Sequence, residues 1–136
     1  MKCSNGGHAG IPELDAQHQR LFDLFVCVKE TMAKGGDCYD LHTALANLTR
    51  CVELCSALEE ALMRIHPYPE CERHKDEHVD LLSGLHAMAR ANRTTGLTEQ
   101  MIGTAFAAAM KHHLTQDRRY ARYLPPVRTM AQQNRR

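Results

Sequence analysis

His74 and His78 carry the first chemical signal in this chain. They lie four residues apart in a run that begins after Pro69, within the stretch CSALEEALMRIHPYPECERHKDEH that spans residues 55–78. At ~3.6 residues per turn, an i, i+4 pair shares one helix face, and two stacked imidazoles can bind one metal ion. Glu59 lies in the preceding helical run, which stops at Pro67-Tyr68-Pro69. A turn there makes the two runs antiparallel, so the Glu59 carboxylate can reach the same ion. His-x-x-x-His alone is weakly specific; its coupling to a carboxylate across a proline-marked turn strengthens it.

Further polar groups fall on faces that should be apolar. His18 lies in the stripe Leu14, His18, Leu21, Phe22, Phe25, Val28, Met32, which has helical spacing. His112 and Asp117 lie in a later helical run. One histidine on an apolar face is usually a satisfied core residue. Burying His18, Glu59, His74, His78, His112 and Asp117 together without partners would cost several kcal/mol each, by order of magnitude. A bound cation offsets that cost. Two carboxylates favour two metals, because a carboxylate can bridge, and the nitrogen and oxygen donors suit a hard or borderline ion, Mn and Zn among those able to fill such a set.

One spacing is irregular. His112 and Asp117 are five apart, roughly 140° off one another on a regular α-helix. Either a local π-turn aligns them, or Asp117 reaches in from the flank. His113 is the regular i−4 partner of Asp117 and is expected to be an exposed neighbour.

Four helices must position these groups. The first is expected over 12–34, ended by Gly35-Gly36. The second covers 40–65, with Asp37 or Asp40 as its cap and Leu41, Leu45, Leu48, Val52, Cys55, Glu59, Leu62 and Met63 on its inner face. The third covers 70–92. The fourth covers 97–122, from Thr98-Glu99 to Pro125-Pro126. Its inner face carries Met101, Ala105, Ala108, Ala109 and His112. No β-alternation, internal repeat or Gly-rich phosphate loop interrupts them. Short connections make the fold class all-α, an up-down-up-down four-helix bundle over 11–124, flanked by a flexible arm over 1–10, where His8 sits, and a short basic tail over 125–136.

The 136-residue chain suits one domain with a core. A formal charge of +1 gives no reason to expect nucleic acid as a partner. No apolar run approaches the ~20 residues of a membrane span, and MKCSNGGHAG lacks the apolar stretch of a signal peptide. The cytoplasm is therefore the expected compartment. The six cysteines, at 3, 27, 38, 51, 55 and 71, are expected to be thiols there.

Taken together, these motifs resemble the hemerythrin family. The opening Ile11…Asp15-Ala16-Gln17-His18 is followed by Leu58-Glu59-Glu60, then Tyr68-Pro69 with His74 and His78, then His112 and Asp117 with Tyr120 beyond. The resemblance spans about residues 11–124, and the interval from His78 to His112 is similar to that of bacterial members. It implies two non-haem irons joined by an oxo or hydroxo group. His74, His78 and His112 would hold one iron, Glu59 and Asp117 would bridge, and His18 would hold the second, which keeps a position open for O2.

The family's other histidine on that second iron has no match: the position four before Glu59 is Cys55. A cation nearby would lower its thiol pKa and make a thiolate ligand; the alternative is an inert buried thiol. Cys51, one turn earlier, reads as plain core. Ser56, Ala108 and Ala109 stand where the family carries bulky side chains, which should widen or wet the O2 pocket unless Phe106, Met63 or Met101 refills it. Two functions follow as expectations. One is reversible O2 binding for storage, delivery or sensing. The other is a redox enzyme or sensor acting on peroxide, NO or O2. A mainly structural metal pair is a third possibility.

Overall fold

A computed structural model describes residues 11–125. The arm over 1–10, with His8, and all of the basic tail beyond Pro125 lie outside them. Four helices form: α1 (Pro12–Ala33), α2 (Cys38–Ile65), α3 (Cys71–Arg93) and α4 (Glu99–His112). A π-helical turn, His113–Asp117, and a last α-helical turn, α5 (Arg118–Ala121), continue α4. Backbone angles stay right-handed helical at His112, His113, Asp117 and Arg118, so the run is not broken at the junctions.

Local chemistry sets the ends. Pro12 occupies the first turn of α1, where a missing N–H costs nothing. Asp37 is the cap of α2: its side chain accepts from the Asp40 N–H while Asp40 accepts from the Asp37 N–H, a reciprocal capping box. Thr98 caps α4 through Met101 N. Gly35 has φ +73° in the first turn, a left-handed conformation that favours glycine.

α1 packs on α2 and α4, and α3 packs on α2 and α4, which closes the up-down-up-down ring. The expected stripes face inward, with Leu14, Phe25, Val28, Leu45, Leu48 and Leu85 nearly solvent-free. The fourth helix departs from expectation. Ile102 is its fully buried anchor, while Met101 and Ala105 are half-buried and Ala108 is exposed. The core has two parts. A larger one includes Phe25, Leu48, Val52, Met88 and Ile102. A smaller one gathers Met63, Tyr68, Tyr120 and Leu124. The polar positions 18, 59, 74, 78, 112 and 117 fall between these two sets along the helices, so the bundle carries a hydrophilic layer inside an apolar sleeve.

Two glycines should respond oppositely to alanine. A Cβ at Gly36 would lie 2.7 Å from Thr31 Cγ2 and 2.8 Å from the Thr31 carbonyl oxygen. Gly36→Ala should cost about 1–3 kcal/mol through overpacking. Gly103, inside α4, has open space at its Cβ position, and Gly103→Ala should gain about 0.5–1 kcal/mol of helix stability. Thermal unfolding of the two variants checks the contrast.

Candidate metal centre

The six positions singled out above converge. Glu59 reaches in from α2, and Asp117 from the π-turn. Each carboxylate presents one oxygen to each of two groups of side chains. Glu59 Oε2 lies 2.9 Å from both His74 Nε2 and His78 Nε2. Asp117 Oδ1 lies 3.1 Å from His74 Nε2 and 3.0 Å from His112 Nε2. Ligand atoms of these five residues all lie within 4.8 Å of one another.

The other two oxygens face a second group. Glu59 Oε1 is 2.6 Å from His18 Nε2 and accepts the Cys55 thiol at 3.6 Å. Asp117 Oδ2 is 3.4 Å from His18 Nε2 and 3.3 Å from His113 Nδ1. Two triads, His18–Cys55–Glu59 and His18–His113–Asp117, therefore share His18, each with its ligand atoms within 4.8 Å.

These spacings suit metal ligation. Donors about 2.1 Å from an ion and at right angles to one another are about 3.0 Å apart, close to the nitrogen–oxygen distances found here. Proton bookkeeping points the same way. His74 Nε2 sits between two carboxylate oxygens and has one proton at most to offer them. His112 Nδ1 is 2.7 Å from Glu77 Oε2, which accepts its proton. That tautomer leaves a bare lone pair at Nε2 facing Asp117 Oδ1, and neither atom has a hydrogen-bond partner. A cation between them resolves the conflict without a second proton on the ring.

Glu59 is 1 % exposed and Asp117 7 %, yet both stay ionised. Burial and the Asp117 charge push Glu59 up, but hydrogen bonds to His18, His74 and His78 outweigh them and hold it at about 2. Burial pushes Asp117 up as well, and the imidazoles of His112, His113 and His74 facing it hold it well below the usual range. Burial alone would depress the His74 pKa; Asp117 and Glu59 reverse that and raise it to about 9. The Cys55 thiol is pushed up by burial, with Glu59 and Asp117 adding to the effect.

Sequence reasoning placed His113 on the surface; it is buried. The reason is the π-turn. With i→i+5 hydrogen bonds, positions i+4 and i+5 straddle one line along the helix, so Asp117 meets His112 and His113 alike. The adjacent pair His112-His113 before Asp117 was the available signal. Two orienting carboxylates were also missed. Glu77 holds His112, and Glu60 Oε1 lies 3.4 Å from His78 Nδ1, the outer contacts that fix a ligand's tautomer. His42 and His86 are exposed and stand apart.

A cavity of about 840 Å³ follows the seam between α3 and α4 and reaches His18, Cys55, Glu59 and His78. Ala108, Ala109 and Met101 line it. Phe106 does not fill it. That ring packs edge-on against Phe22 and Phe25, with Lys29 over its face. Met63 belongs to the smaller apolar cluster with Tyr68 and Tyr120.

A family model described as the hemerythrin HHE cation binding domain matches residues 9–122. The comparisons with curated proteins and with solved structures each returned no match.

Protonation and metal loading should oppose each other. A raised pKa means that the folded metal-free state holds the His74 proton more tightly than the unfolded chain. That stability is complete below the ordinary value of 6.5 and is lost as pH rises through about 9. The Glu59 contribution runs the other way, present above 4.5 and lost as pH falls towards 2. A metal displaces the imidazole protons. The His74 contribution to metal-free Tm should therefore fall between pH 6.5 and 9, while metal affinity rises. Unfolding scans of metal-free and metal-loaded protein over that range, with proton release measured on loading, check both signs.

Proposed function

From the premise that the chain belongs to the hemerythrin family, we propose that its buried cluster holds two irons and binds O2 for storage, delivery or sensing. The observation that carries this reading is the division of both carboxylates. Glu59 and Asp117 each turn one oxygen to either group of imidazoles, the arrangement of a bridging ligand. His74, His78 and His112 complete the first group. His18 anchors the second, beside which Cys55 and His113 both present donor atoms. When bound, an iron pair supplies the two electrons that reversible O2 capture requires.

The remaining work belongs to the chain. Glu77 and Glu60 hold imidazole tautomers, and Ile102, Phe25 and Leu48 pack the larger apolar cluster on one side of the centre. Tyr68 and Tyr120, with ring centroids 5.1 Å apart, close the other end against His74. The open seam between α3 and α4 favours a second reading, a redox enzyme or sensor acting on peroxide, NO or O2. A ligand larger than O2 can enter, and water with it. The five cysteines within the described residues are free, which fits the cytoplasmic location we assign. Among the described residues no helix is long and apolar enough to cross a membrane.

Metal analysis of protein reconstituted anaerobically with ferrous iron should give two irons per chain, and Glu59→Ala should lose at least one. Oxygen should then produce a visible absorption that disappears on deoxygenation. A single irreversible conversion would favour the redox reading. Ala109→Leu narrows the seam and should prolong the reversible signal several-fold in stopped-flow traces.

A further inference from the structure

We infer that His113, carried by the π-turn, supplies the second imidazole of the second metal position, in place of the nitrogen that α2 lacks at Cys55. The inference rests on the two-metal reading above and assigns a ligand within it.

Three observations support the assignment. The first is ring geometry. Around the first position the imidazole centroids are 4.6 Å apart for His74–His78, 4.7 Å for His74–His112 and 4.9 Å for His78–His112. His18 and His113 stand 4.5 Å apart with planes at 69°, so the second pair reproduces the spacing of the first three. The second is Asp117. Its Oδ1 faces His74 and His112, and its Oδ2 faces His18 and His113. Two imidazoles thus meet each oxygen. The third is Phe22, whose ring packs edge-on against His113 at 5.4 Å and fixes the imidazole from the apolar side.

Adjacent histidines on one helix can serve two different metals only if the carboxylate between them is reached from both. The π-turn provides that. His112 and His113 then address opposite sides of Asp117, and one helix contributes a ligand to each position as well as the bridge.

The test is metal content per chain after anaerobic ferrous loading, for wild type, His113→Asn and Cys55→Ala. Asparagine keeps an N–H near the place of Nδ1 for Asp117 but is a poor iron ligand, so it separates ligation from hydrogen bonding to Asp117. Two metals in wild type, one in His113→Asn and two in Cys55→Ala is the expected pattern. The single metal retained in His113→Asn reports that the fold and first position survive. Adding free imidazole to His113→Gly should restore the second metal. Two metals in His113→Asn would overturn the assignment, as would loss of one in Cys55→Ala with none lost in His113→Asn. A wild-type chain that takes up only one metal would overturn the two-metal reading, and the assignment with it.

Discussion

Two carboxylates buried at the centre of a small bundle impose a constraint that the other parts of the molecule answer. Neither Glu59 nor Asp117 can be neutralised by solvent, and neither has an arginine or lysine beside it among the contacts described. Imidazoles from α1, α3, α4 and the π-turn face them at 2.6–3.4 Å, and the Cys55 thiol donates to Glu59 at 3.6 Å. An isolated buried carboxylate would take up a proton. These two remain charged because five ring nitrogens are aimed at them. Those same nitrogens are the donors that a divalent cation would claim. A cation bound there would take those nitrogen lone pairs in place of protons.

The apolar part of the fold can be understood as support for that layer. Phe25, Val28, Leu48 and Ile102 lock the helices on one side, and Met63, Tyr68 and Tyr120 on the other. Sealing both ends lowers the local dielectric and makes every nitrogen–oxygen contact count for more. The seal is incomplete along α3 and α4. Alanines at 108 and 109 leave the seam open, so access to the centre comes sideways, between two helices, and not along the bundle axis.

Most of this was legible from residue types and spacing. The stripe in α1 and the proline turn after Ile65 fixed two helices and their antiparallel contact, and the i, i+4 pair at His74 and His78 fixed the face of a third. The fourth helix was harder to read. Its small residues give a weak pattern, so Ala108 looked inward when it is exposed, and Ile102 was overlooked. A five-residue interval between His112 and Asp117 offered a π-turn or a flanking reach. Choosing the π-turn decides the backbone, but its second effect, that His113 moves inward along with Asp117, depends on helix geometry at a single turn. Spacing rules built on 3.6 residues per turn do not carry that information. Glu60 and Glu77 were equally hidden, because an orienting carboxylate looks like any surface acid until its partner's ring direction is known.

The wide turn also shifts helical phase. Five residues fill the space that a regular helix would fill with about four, so everything after Asp117 is rotated by roughly one residue's worth, ~100°. Tyr120 and Leu124 reach the smaller apolar cluster from that rotated frame. Removing one residue between 113 and 117 would leave the helix continuous yet turn both side chains off their axis, and the bundle would lose its lower seal together with its bridge. The extra residue therefore ties the chemistry of the centre to the closure of the molecule: neither can be altered in length without disturbing the other.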